Sequence, residues 1–141
     1  MKRILCLLAA IAILLCGCGG ELPSFVKDVD DLADFRCYLI HGGDSVILQD
    51  DDAKEAYHLI TDALRDMEDT ATAPDGAQIS MFFYVGDYNP YTDIVPIDKQ
   101  YGSYSVAENG VGLYVATAST SAGFNYQVNP SVFTDFHKMM E

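Results

Sequence analysis

Histidine, cysteine and clustered carboxylates are the side chains best suited to chemistry, and this sequence spaces most of them too widely to act together. Its three histidines, His41, His58 and His137, match no compact metal-ligand spacing, and no H-E-x-x-H pair is present. Cys37 and His41 share a parity on one predicted strand, which puts them on the same side but about 13 Å apart along it. A thiolate–imidazole pair needs about 3 Å, so Cys37 reads as a small core residue. Carboxylates are more concentrated. Asp50-Asp51-Asp52 precedes a helical stretch, where acidic side chains satisfy free amides and favour the helix dipole. Asp87-x-Asn89-x-Tyr91-x-Asp93, with Asp98 beyond, partly follows the alternating oxygen ligands of a calcium loop. Tyr91 stands where a ligand oxygen is wanted, and Thr92 where the tight turn wants glycine. No metal and no other cofactor is therefore expected. The same stretch offers a different chemistry. Tyr88, Tyr91 and Tyr101, beside Asp87, Asn89 and Asp93, present flat apolar faces with hydrogen-bonding rims that suit a protein or glycan partner. The plainer reading is that these rings cover a sheet edge.

One stretch points toward hydrolysis. His41-Gly42-Gly43-Asp44 resembles the His-Gly-Gly segment of some esterases, whose backbone amides help form an oxyanion hole. That chemistry needs a serine on a G-x-S-x-G elbow, which the sequence lacks. The nearest piece, Ser119-Thr120-Ser121-Ala122-Gly123, is missing the first glycine. No catalytic residue is assigned, and the tetrapeptide reads as a glycine turn.

The elements that must position these residues follow from periodicity. Phe25, Val26, Val29, Leu32 and Ala33 recur at helical spacing after Ser24, which predicts a brief amphipathic helix. Phe35 to His41 reads as a strand, and Gly42-Gly43-Asp44 turns it into a second, Ser45 to Gln49. The apolar stripe Ala53, Ala56, Tyr57, Ile60, Ala63, Leu64 and Met67 predicts a helix from Ala53 to about Glu68, with Asp52 and Glu55 at capping-box spacing. Ile79 to Val85 is apolar on both faces and reads as a central strand. Asp93 to Ile97 reads as a weak edge strand, because Pro96 cannot donate to a ladder. Asn109-Gly110 predicts a two-residue hairpin pairing Glu108 with Val111, Val106 with Leu113 and Tyr104 with Val115. Phe124, Tyr126 and Val128 alternate as a last strand. Asn129 then caps a helix with Pro130 at its first position and Val132, Phe133, Phe136, Met139 and Met140 on its apolar face. The sum is an α+β fold: a mostly antiparallel sheet with a middle helix and a C-terminal helix packed on one face.

The N-terminus carries an address. Met1-Lys2-Arg3 is followed by an apolar run from Ile4 to Leu15, too short for a membrane span of about 20 residues. It has the length of the apolar region of an export signal. Leu15-Cys16-Gly17-Cys18 resembles the lipobox of bacterial lipoproteins: an aliphatic residue, two small ones, then the cysteine that takes the lipid. The resemblance implies cleavage between Gly17 and Cys18 and a diacylglyceryl group on the Cys18 thiol. Residues 1–17 are then a signal peptide, 18–23 a short tether and 24–141 a single α+β domain. The order of elements in 24–141 also resembles small extracytoplasmic domains of bacterial lipoproteins of uncharacterised function.

Charge narrows the partners. Removing Lys2 and Arg3 with the signal takes the net charge from −13 to −15. Nucleic acid is excluded as a partner, because its binding rests on neutralising phosphates with Lys and Arg. A basic patch for an anionic membrane surface is lacking as well, so attachment depends on the acyl chains at Cys18. Cys37 is the last cysteine free for other use, which excludes an internal disulfide. The reading is a lipid-anchored, non-enzymatic binding or interaction module on the extracytoplasmic face of a cell membrane. The alternative is a small cell-envelope hydrolase whose site assembles from scattered residues. A transporter's capture lobe is disfavoured, since a two-lobed receptor needs about twice the length.

Overall fold

The computed structural model describes residues 23–116 and 123–141. The expected signal peptide, the lipobox-like Leu15-Cys16-Gly17-Cys18, most of the expected tether and the Ser119-Thr120-Ser121 stretch lie outside them. The described chain forms β1 (Phe35–His41), β2 (Asp44–Gln49), α1 (Asp50–Ala63), a 3₁₀ turn (Leu64–Asp66), β3 (Glu68–Asp69), β4 (Gln78–Val85) and a second 3₁₀ turn (Ile97–Lys99). There follow β5 (Gln100–Ala107), β6 (Val111–Val115), β7 (Gly123–Gln127) and α2 (Ser131–Met139). One sheet results, in the order β2-β1-β4-β5-β6-β7-β3, with every pair antiparallel. Both helices pack on the same face, so the architecture is the α+β arrangement expected. Among the described residues no helix is long and apolar enough to cross a membrane.

Helix α1 joins the two edges of the sheet, since β2 lies at one end of the strand order and β3 at the other. Fourteen α-helical residues rise about 21 Å. The three-residue 3₁₀ turn adds about 6 Å. Six inter-strand gaps span about 29 Å, so the strap matches the width of the sheet. Its apolar stripe is buried as the spacing predicts: Ala53, Ala56, Tyr57, Ile60 and Leu64 meet Phe35, Cys37 and Leu39 of β1 and Met81 and Phe83 of β4. Val132 and Phe136 of α2 complete this layer. Asn129 Oδ1 accepts the Ser131 amide at 2.9 Å just before α2, which begins at Ser131, one residue later than expected, with Pro130 at its N-cap.

Four expectations about elements are corrected. Residues 24–33 form turns instead of a helix. The Lys27 amide donates to the Tyr57 hydroxyl at 3.0 Å and the Asp30 amide to Asp28 Oδ1 at 3.0 Å. These bonds draw the backbone away from a helical ladder, while Val29 is fully buried and Phe25 stacks on Tyr114 at 4.1 Å. Helix α1 begins three residues earlier than expected, at Asp50, and makes no side-chain cap bond, so the capping box of Asp52 and Glu55 does not form. It also ends at Ala63, tightening into the 3₁₀ turn. Asp93 to Ile97 is no strand: these residues stay in the loop and the second 3₁₀ turn, and β5 begins at Gln100.

The fourth correction is a register. Tyr104 pairs with Tyr114 and Ser103 with Val115, one residue away from the expected pairing. Gly110 alone is left-handed in this turn (φ +80°), whereas a two-residue type I′ turn needs both central residues there. The connection is therefore three residues long, closed by the Gly110 amide on the Ala107 carbonyl at 2.9 Å. A one-residue slip exchanges the faces of a strand, so Leu113 points away from the helices and Tyr114 into the core.

Candidate functional site

The loop after β4 carries four of the five proposed binding residues, and its polar groups are largely turned on itself. The Gly86 amide donates to the Asp34 carbonyl at 3.0 Å, and the buried Tyr84 ring reaches out to donate its hydroxyl to the Tyr88 carbonyl at 2.9 Å. Asn89 and Asp93 close the turn between them. The Asn89 amide donates to Asp93 Oδ2 at 2.8 Å, the Asp93 amide to the Asn89 carbonyl at 2.7 Å, and the Tyr91 amide to Asn89 Oδ1 at 3.0 Å. Asp87 projects into solvent and pairs with Arg36 at 2.8 Å. Tyr88 is half-buried, its ring lying against Gly86, where φ is +111° and a Cβ would collide with it. Tyr91 is 83% exposed.

Tyr101 is not part of this loop. It lies on β5 and faces the helices, edge-on to Phe35 at 5.5 Å, with Lys27 Nζ 5.1 Å from its ring centre. The cause is a bulge. The β4–β5 register shifts between Phe82 and Tyr84, and Gly102 takes a φ of +104° there. The extra residue sends Tyr101 to the face opposite the one that carries Ser103. The structure thus brings Tyr88, Tyr91, Asp87 and Asp93 together and leaves Tyr101 out.

Gly42 has the left-handed φ (+60°) of a tight hairpin, and His41 pairs with Asp44 across it. Cys37 is fully buried, and burial pushes its thiol well above the ordinary range, which leaves it unreactive. His41 and His137, distant in sequence, meet edge-to-face at 5.3 Å, and no spacing rule could have foreseen it. His58 is elsewhere, 2.7 Å from Asp30. Among the described residues no group of three His, Cys, Asp or Glu side chains could hold a metal ion.

What the sequence reading missed is the other face of the sheet. Helices cover only the side carrying Cys37, Leu39, Met81 and Tyr104. The opposite side presents Tyr38 and Ile40 of β1, Ile47 of β2, Phe82 of β4, and Leu113 and Val115 of β6, with Ser80, Ser103 and Ser105 between them. Ile40 is 39% exposed and Leu113 42%. Three shallow depressions, of about 780, 440 and 400 Å³, cross this face, and all three are lined by Tyr38 and Ile40. The loop after β4 borders them. Tyr91 lines the largest and Asp93 and Ile94 the smallest. The signal was present in β1, where Tyr38 and Ile40 alternate with Cys37 and Leu39. Both faces of that strand are apolar, yet the helices among the described residues cover only one.

No family model, curated protein or solved structure matches this chain.

Proposed function

We propose that the chain is a lipid-anchored, extracytoplasmic interaction module, non-enzymatic, that works through the open face of its sheet. The observation that carries this reading is the uncovered apolar surface centred on Tyr38 and Ile40. Isolated exposed apolar residues are ordinary on a protein surface, but a contiguous patch bordered by polar groups marks a site of association. Here the patch runs from β2 to β6 and continues onto Tyr91 and Ile94, which are 83% and 94% exposed. Tyr91 and Asp93 belong to it as rim residues, while Tyr88 and Asp87 support the loop. Residues 23–34 cross the helix-bearing side, with Phe25 packed on Tyr114 and Phe124, so an attachment point upstream of them is compatible with a free open face. A module held to a membrane by Cys18 keeps that face free for a partner.

The anchor is tested by Cys18→Ala, which should leave unprocessed precursor and abolish palmitate incorporation, whereas Cys16→Ala should change neither. Normal maturation and labelling of the Cys18 variant would refute the address. The surface is tested in the same strain with Ile40→Lys, which should leave processing, membrane fractionation and melting temperature unchanged while removing whatever phenotype deletion of the chain produces.

A further inference from the structure

We infer that the occupant of the open face is a cationic, apolar polypeptide segment of another protein. The inference rests on the interaction-module reading and adds the chemistry of the partner. Tyr38, Ile40 and Phe82 give the trough its apolar floor, and the hydroxyls of Ser80, Ser103 and Ser105 give it hydrogen-bonding groups spaced along neighbouring strands. Its charged lining is of one sign. Asp44 lines the largest depression and Asp93 the smallest, and among the described residues no Lys, Arg or His lines any of the three. Arg36, on the same face of β1, is already paired with Asp87.

A chain with 21 acidic and 8 basic side chains surrounds this trough with further negative potential, so a basic partner is steered toward it and an acidic one repelled. The same charge argues against the other occupants. A second copy would bring like charge to like charge, and an anionic lipid surface would meet carboxylates. A polypeptide carrying Lys or Arg among apolar side chains satisfies the floor, the hydroxyls and the two carboxylates together.

The test uses the full lipidated chain in nanodiscs of uncharged lipid, with empty nanodiscs as background. The probes are fluorescent peptides of alternating Lys and Leu, and matched peptides of alternating Glu and Leu. The Lys–Leu peptide should bind saturably and the Glu–Leu peptide should not. Binding should weaken severalfold in Asp44→Asn/Asp93→Asn and be unchanged in Asp51→Asn/Asp52→Asn, which removes equal charge from the helix side. Ile40→Lys should weaken it at least about tenfold, the loss of one buried contact and the gain of one repulsion. Raising salt to about 1 M, where the screening length is about 3 Å, should abolish most of it.

Equal binding of the Glu–Leu peptide, lost in Ile40→Lys, would overturn the basic partner and leave the interaction face standing. So would self-association of the wild type that Ile40→Lys disrupts. Lys–Leu binding indifferent to Ile40→Lys, or no binding by either peptide without self-association, would overturn the inference together with the assignment of this face.

Discussion

Asp93 accepts the Asn89 amide at Oδ2, and its Oδ1 lies 3.4 Å from the Thr92 hydroxyl, so a residue that reads as a ligand in sequence acts first on its own loop. Asp50 makes a similar point. In a run of three aspartates it reads as helix-terminal charge, yet it also holds a φ of +46° at the junction of β2 and α1. Aspartate tolerates this conformation better than most residues, and a β-branched side chain does not. Asp50→Gly should therefore keep stability within about 0.5 kcal/mol, whereas Asp50→Val should cost about 1–2 kcal/mol in denaturant unfolding. Equal effects would mean that charge, and not backbone conformation, selects the residue. Residue type was readable here and residue role was not, because a carboxylate that shapes a turn and one that binds a ligand have the same letter. Buried stripe residues such as Tyr57 and Ile60 were legible for the opposite reason: their role follows from spacing alone.

Hairpin β5–β6 shows how far an element can be read. Its strands and its turn were evident from Asn109-Gly110, but the turn has two geometries that differ by one residue. Both registers place apolar pairs together, since Tyr104 can meet Val115 or Tyr114. What decides between them is tertiary: Gly112 packs where a side chain would strike the Ser105 carbonyl and the Tyr126 ring. Gly112→Ala should therefore destabilise by about 2–3 kcal/mol, while Leu113→Ser should remain within about 0.5 kcal/mol. The inverse order in thermal melts would restore the expected register. The missed turns at 24–33 have the same origin, because the Tyr57 hydroxyl that holds Lys27 lies outside any local window.

At the scale of the whole molecule, the α+β layering was legible because helix stripes and strand alternation report which faces seek cover. The open face was legible only as a second apolar side on β1 and β4, since an apolar side chain looks the same whether the chain or a partner covers it. Burial also gives the molecule an alkaline limit. Tyr57, Tyr84, Tyr104, Tyr114 and Tyr126 are all shifted upward, chiefly by burial. The fold favours each neutral phenol, so the unfolded chain ionises first, near pH 10, and proton release then drives unfolding. Their stabilisation is complete below that pH and declines above it, by up to about 1.4 kcal/mol per pH unit for each tyrosine. Urea midpoints measured from pH 9 to 11 should fall steeply above 10, and less steeply in Tyr104→Phe, which removes a buried hydroxyl beside that of Tyr57. The strand order carries one more consequence, in time. Every long neighbouring pair is joined by a local connection except β1 and β4, where Cys37 meets Phe83 and Leu39 meets Met81 across α1. The sheet is thus a hairpin and a meander, and pairing them across that seam, against the entropy of the loop between, should limit the folding rate. Leu39→Ala should slow refolding in a chevron experiment, whereas Phe124→Ala, far from the seam, should mainly hasten unfolding.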